Sequence, residues 1–162
     1  IAFLLQPETE YKDMYIETLI HEEMALVAPL HHHLSNLSEV TPNELKSETI
    51  LHTETGCSYR TLFERYLNSH GVFPDPKLEF WSIEAIKQCV MAGLGISFLP
   101  LVSVQSELSE GKLVKLKWND ESQRVATQLA YHNKKWISPA ISEFLLIVQK
   151  HAGVWNGEKV TN

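Results

Sequence analysis

The stretch SIEAIKQCVMAGLGISFLP, residues Ser82–Pro100, decides how this chain folds. Ser82 is a helix-capping residue, and Ile83, Ile86, Cys89 and Val90 behind it recur at three- and four-residue spacing, which predicts a helix with one apolar face. Gly93 closes that helix. The short apolar run Ile96 to Leu99 predicts a buried strand. Pro100, suited to the first position of a helix, starts another one with Leu101, Val104 and Leu108 facing inward. Helix, tight turn, strand and helix within about thirty residues is a unit of an α/β architecture.

The pattern continues on both sides. Downstream, Gly111 turns the chain into a predicted strand Leu113 to Leu116, followed by a polar connector Asn119 to Gln123. Thr127, Leu129 and Tyr131 alternate with their neighbours as a further strand. Ser138 and Pro139 start a last helix whose expected core face is Ile141, Phe144, Leu145 and Val148, and the aperiodic tail from Gly153 is expected to fray. Upstream, Leu78 to Trp81 predicts a strand running into Ser82. Tyr59, Leu62, Phe63, Tyr66 and Leu67 predict a helix with Arg60, Glu64, Arg65 and Asn68 on its outer face and Gly71 beyond its end. Thr49 to His52 predicts the strand before it, and Thr41, Pro42 and Glu44 mark a short capped helix through about Leu45. Met24 to Ala28 is a strand ending at Pro29, Gln6 to Asp13 is polar, and the apolar opening Ile1 to Leu5 is the first strand. Because the chain begins inside that run and without Met, sequence upstream is expected to be missing, leaving the strand an exposed edge or paired with another chain.

Strands alternating with helices imply right-handed crossovers, with ligand sites beyond the carboxyl ends of the strands. The connectors near Pro29 and Asn119 bracket a central block. The expected layout is therefore residues 1–29 as the first part of lobe I, 30–118 as an inserted lobe II, 119–152 as the second part of lobe I, and 153–162 as a tail.

Composition narrows the function. The 162 residues are 44% hydrophobic and 21% charged with 7 Gly and 7 Pro, a folded composition. With 14 basic against 20 acidic side chains the net charge is −6, the wrong sign for a chain that would itself coat a phosphate backbone. The most apolar stretch, Cys89 to Val104, is interrupted by Gly93, Gly95, Ser97, Pro100 and Ser103, so it predicts no bilayer span. Two cysteines, Cys57 and Cys89, fit a reducing compartment, and the expected location is the cytoplasm. No nucleophile elbow, dinucleotide fingerprint, P-loop or zinc-protease motif occurs, so the expectation is a binding protein and not an enzyme, with no cofactor.

Ser82–Pro100, with its Ala-Gly-Leu-Gly turn, closely resembles the signature of LysR-type transcriptional regulators. Glu107 to Val114 resembles that family's Glu-Leu-x-x-Gly-x-Leu-Val, and Met24 to Leu34 its strand, hinge and His-Pro-Leu loop, with His33 here in place of the proline. The resemblance covers nearly the whole chain and implies the effector-binding part of such a regulator. The implied fold is a two-lobed periplasmic-binding-protein-like (type 2) α/β fold with lobe I incomplete, and DNA would be reached only through a winged helix-turn-helix that this sequence lacks. It also implies a homo-oligomer, with the Tyr59 helix as a candidate contact, and a cleft between lobes for a small effector. A transporter's solute-binding component would share the fold and is the alternative.

Residues and resemblance point to the same turns. Thr53, Thr55, Gly56, Cys57 and Ser58 connect a strand to one helix N-terminus and Ser82 does so for the next. Unpaired N–H groups at helix starts favour a small anion. The resemblance adds Gln6, Pro7 and the hinge at Ala28 as effector contacts. The plainer reading is that Ser58 and Ser82 only cap helices, each contributing about 1 kcal/mol. Cys57 could be a redox-sensitive thiol, but a pocket-lining role fits better. His31, His32 and His33 suggest a metal, yet neighbours in an extended loop point apart and no carboxylate completes a recognisable spacing, so no metal site is expected.

Overall fold

In the computed structural model, which describes residues 1–75, 78–118 and 125–155, Ser82–Pro100 has the order expected of it. Helix α2 (Ile83–Met91) begins at Ser82, whose hydroxyl accepts from Ala85 N–H, and it leads to a buried strand, Ser97–Pro100, and a helix, Leu101–Ser109. The end of α2 is a Schellman turn: Leu94 N–H donates to Cys89 O and Gly93 N–H to Val90 O, with Gly93 at φ +82°.

In chain order the remaining elements are β1 (Ala2–Gln6), β2 (Met14–Glu22), β3 (Met24–Pro29), two 3-10 turns (His33–Asn36 and Pro42–Ser47), β4 (His52–Thr53), α1 (Ser58–Ser69) and β5 (Glu79–Phe80). After α2 come β6 (Ser97–Pro100), α3 (Leu101–Ser109), β7 (Leu113–Lys115), β8 (Val125–His132) and α4 (Pro139–Trp155). The chain forms two compact units, one from Ile1–Glu22 with residues from Val125 onward, the other Glu23–Arg124. The boundaries therefore fall at 22/23 and 124/125, where 29/30 and 118/119 were expected. The physical reason is β3: Ala25, Leu26, Val27 and Ala28 are all buried, and the strand is flanked on its two edges by β6 and β7. It is the middle strand of the second unit's sheet and cannot belong to the first. The connector Asn119 to Gln123 lies outside the described residues.

The first unit is an antiparallel sheet in the order β1-β8-β2. Leu19, Leu129, Val148 and Ala152 make its core, with Leu145 and Tyr131 packed against them. Strand β2 was not anticipated, because an extra residue between Thr18 and Ile20 breaks the pairing with β8 and puts the alternation out of phase. Strand β1 was expected to be an exposed edge or paired with another chain. It is an edge, with Ile1 and Phe3 exposed. In α4, Phe144 is not part of the core face: it is 41% exposed and leans edge-on against Phe3, 6.3 Å between ring centroids. The helix continues through Gly153 to Trp155, beyond the expected point of fraying; residues 156–162 lie outside the described part.

In the second unit the β6-β3-β7 ladders are antiparallel, whereas β4 and β5 run parallel and Ile50 bridges Ile96 in parallel. Val40 also bridges Trp118 in parallel, so among the described residues the parallel pairings join β4 to β5, Ile50 to Ile96 and Val40 to Trp118. Phe63 of α1 stacks on Phe98 of β6 at 4.5 Å, and Trp118 sits edge-on to Phe63 and Tyr66. Among the described residues no helix is long and apolar enough to cross a membrane.

Candidate effector-binding turns

Strands β4 and β5 lie side by side with His52 opposite Glu79 and Thr53 opposite Phe80. Each then feeds a helix: β4 through Glu54–Cys57 into α1, and β5 through Trp81 and Ser82 into α2. Two parallel strands that end level place the starts of their helices on the same side, at the carboxyl edge where α/β proteins hold ligands.

The first turn is closed by Cys57 N–H donating to Glu54 O at 3.1 Å, with Gly56 at φ +95° supplying the left-handed residue. Cys57 occupies the capping position of α1 but makes no capping hydrogen bond with its side chain. The first-turn N–H groups of Ser58, Tyr59 and Arg60 precede the first intrahelical bond, from Thr61 N–H to Cys57 O. At α2, by contrast, the Ser82 oxygen accepts from Ala85 N–H at 3.4 Å. Ser82 is therefore a cap as the plainer reading holds, but its own hydroxyl proton remains available to donate. The hydroxyl of Thr53 is enclosed and has no hydrogen-bond partner among the described residues. Thr55 is exposed, and its hydroxyl donates to Glu79 Oε2 at 2.8 Å.

Arg60, expected on the outer face of α1, is buried and organises the turn from beneath. Its Nη1 donates to Thr53 O and, at 2.6 Å, to Glu79 Oε2, while Nε donates to Glu64 Oε1 at 2.7 Å. Burial works against its charge, but the hydrogen bonds to Glu79 and Glu64 outweigh that and hold the guanidinium more firmly protonated than usual. The Arg60 and Thr55 hydrogen bonds in turn keep the Glu79 carboxyl below its ordinary range. With two carboxylates on it, Arg60 offers no free positive charge to a ligand. An anion here must be held by the helix-start N–H groups and the hydroxyls. The i,i+4 spacing of Arg60 and Glu64 hinted at a pair, but nothing in the sequence pointed to Glu79, 19 residues further on.

His52 was also missed. Its Nδ1 lies 3.5 Å from Glu64 Oε1, and its Nε2 is enclosed without a partner among the described residues. Burial lowers its pKa below the usual value, so the ring is neutral at pH 7. His52, Thr53 and Arg60 line a cavity of only about 10 Å³ with Ile50, Leu51, Phe63 and Phe98. The Tyr59 phenol, pushed up first by burial and then by the Cys57 thiol, stays protonated. Hydroxyls, backbone N–H groups and a single thiol suit an oxyanion rather than a metal ion.

The structure thus brings Thr53, Thr55, Gly56, Cys57, Ser58 and Ser82 to one edge of the second unit. Of the other expected contacts, Gln6 ends β1 of the first unit, and its amide nitrogen is enclosed without a partner among the described residues; Pro7 follows it. Ala28 is fully buried in β3, opposite Val114. Cys57 and Cys89 are both free thiols.

Comparison with known proteins gives this geometry its context. Residues 1–153 match the model of the LysR substrate binding domain. The chain is similar to the uncharacterized HTH-type transcriptional regulator YwqM of Bacillus subtilis (strain 168), 44% identical over 150 residues, covering 93% of this chain and 50% of that protein. It spans about half the length of the curated regulators it matches in this way. Among solved structures, the regulatory domain of Synechocystis PCC6803 CcmR in complex with 2-PG aligns with a TM-score of 0.81 at 24% identity, covering 93% of this chain and 72% of that one. The effector binding domain of QuiR in complex with shikimate aligns at 0.76 and 18%, covering 94% and 72%. At these identities the structures establish the fold, that of LysR regulatory domains with the periplasmic-binding-protein-like type 2 architecture, and with the family match they lead to one conclusion: the chain belongs to the LysR substrate-binding domain family.

Proposed function

We propose that this chain is the effector-sensing part of a LysR-type transcriptional regulator and that a small anionic metabolite binds at the turns Thr53–Ser58 and Trp81–Ser82. The observation that carries the reading is the uncapped start of α1 beside Ser82, at the level ends of β4 and β5. An uncapped helix start leaves donors and a positive dipole end for an oxyanion, and the hydroxyls of Ser58 and Ser82 can donate without adding charge. Neighbours of the same fold were solved with 2-PG and with shikimate, small oxygen-rich molecules of the kind such a turn can hold. The relatives named are regulators, which supports sensing over the transport alternative.

Binding shifts the chain between conformations of unequal effector affinity, and this is what a DNA-binding domain elsewhere in the whole regulator would report. The whole protein works in the cytoplasm as a homo-oligomer, and the chain itself catalyses nothing. Calorimetry with 2-PG, shikimate and related small carboxylates and phosphates tests the site. Ser58→Glu and Ser82→Glu should each weaken the anion that binds by roughly tenfold or more, since about 1.4 kcal/mol is tenfold in affinity and each change places a like charge at a helix-start donor. The circular dichroism spectrum should be unchanged. Unchanged affinity in both variants removes these turns from the site.

A further inference from the structure

We infer that His32, His33 and Glu48 form a binding site for one zinc-like divalent cation, independent of the effector turns. His32 Nε2 lies 3.3 Å from Glu48 Oε2 and His33 Nε2 lies 3.2 Å from Glu48 Oε1. Among the described residues this is the one group of three or more such side chains whose ligand atoms could gather on a metal ion, all within 4.8 Å of one another. Two ligand atoms bound about 2.0–2.1 Å from a tetrahedral ion sit about 3.3 Å apart, so the spacing already matches an edge of that tetrahedron.

The expectation that adjacent histidines point apart fails for a local reason. His31 adopts φ +66°, and His32 N–H donates to Pro29 O at 3.1 Å, so the chain reverses directly after β3. His32 and His33 then enter a 3-10 turn, where their rings lie 4.5 Å apart and tilted by 33°. The turn is held by Ser35, whose hydroxyl and N–H both donate to His32 O, and by buried Leu34. Glu48 ends the second 3-10 turn between buried Leu45 and Ile50, which fixes where its carboxylate can reach. The side chains of His32 and Glu48 are 14% and 10% exposed, whereas His33 is 69% exposed. Two ligands are therefore held and the third is free to swing onto the ion, with remaining positions open to water.

The donor set selects the ion. Two imidazoles and one carboxylate suit zinc, cobalt, nickel or copper, whereas calcium and magnesium require oxygen ligands. Without an ion, Leu34 N–H approaches His32 Nδ1 at 3.4 Å, which leaves the ring proton on Nε2 to donate to Glu48. An ion on Nε2 takes the place of the hydrogen bond to Glu48, which becomes a ligand beside it, and moves the ring proton to Nδ1, giving up the long Leu34 contact as well.

Zinc titration of the untagged chain by calorimetry and native mass spectrometry tests the site, with cobalt as a spectroscopic substitute. The expected result is one saturable equivalent, and visible cobalt absorption of the intensity given by four-coordinate sites. Affinity should fall roughly tenfold or more in His33→Gln and in Glu48→Gln, and remain unchanged in His21→Gln, a control outside the cluster. His33 is exposed, so its variant keeps the test meaningful even if Glu48→Gln were to disturb the fold. Absence of a saturable equivalent, or zinc affinity indifferent to both substitutions, overturns the site and leaves two imidazoles hydrogen-bonded to a shared carboxylate.

Discussion

Gly95 shows how closely one residue can be constrained. A Cβ built there would lie 2.2 Å from Thr49 O, the same oxygen that accepts Ile96 N–H at 2.9 Å and so holds the β4 side of the sheet to β6. Gly95→Ala should therefore destabilise the fold by about 1–3 kcal/mol, the range for overpacking a tight contact, measured by urea denaturation with an unchanged m-value. A second residue-scale prediction concerns Glu107. It accepts from the nearly buried Lys87 at 2.8 Å, and this hydrogen bond is the chief reason its carboxyl is lowered from 4.5 to about 2. A carboxyl more acidic in the folded state stabilises fully above the unfolded value and loses that contribution as pH falls through the folded one. The stability difference between the native chain and Glu107→Gln should be flat above about pH 4.5 and narrow as pH falls toward 2. A difference that does not change with pH across that interval would contradict the pair's role.

At the scale of elements, the missing cap on α1 separates stability from function. Cys57 has the extended backbone of a capping residue but a side chain that makes no capping bond. Cys57→Asp should raise stability by about 0.5–2 kcal/mol by supplying the cap. The same carboxylate occupies the donors assigned to the effector, so affinity should fall while the melting temperature rises; a rise in both would argue against the turn as the site. Helices were the legible elements because their signals are local. Ser82, Gly71, Gly93 and Gly111 mark starts and ends, and Schellman hydrogen bonds close α1, α2 and α3 alike. Strand β2 was illegible because its bulge shifts the alternation, and Arg60 because a buried cation on a helix looks like any outer-face residue until its carboxylates come together. Trp81 was read as part of a strand, yet β5 stops at Phe80 and the indole is 84% exposed.

For the whole molecule, the two units were legible as a division of the chain but their limits were not. A polar connector shows where a strand ends, whereas membership is decided by which strands pair with it, as β3 shows. The turns proposed for the effector could be located in the sequence because strand-to-helix connections follow the local order of the chain. The partnership of Glu48 with His32 and His33 could not, since it depends on two turns meeting through the fold. The central claim is that the starts of α1 and α2 receive a small anion, and an amide-resolved NMR titration of the chain with the anion that binds tests it most directly. The account predicts the largest shifts at Ser58, Tyr59 and Arg60 and at Ile83 to Ala85. Saturable binding that leaves these amides unmoved while shifting others would contradict it.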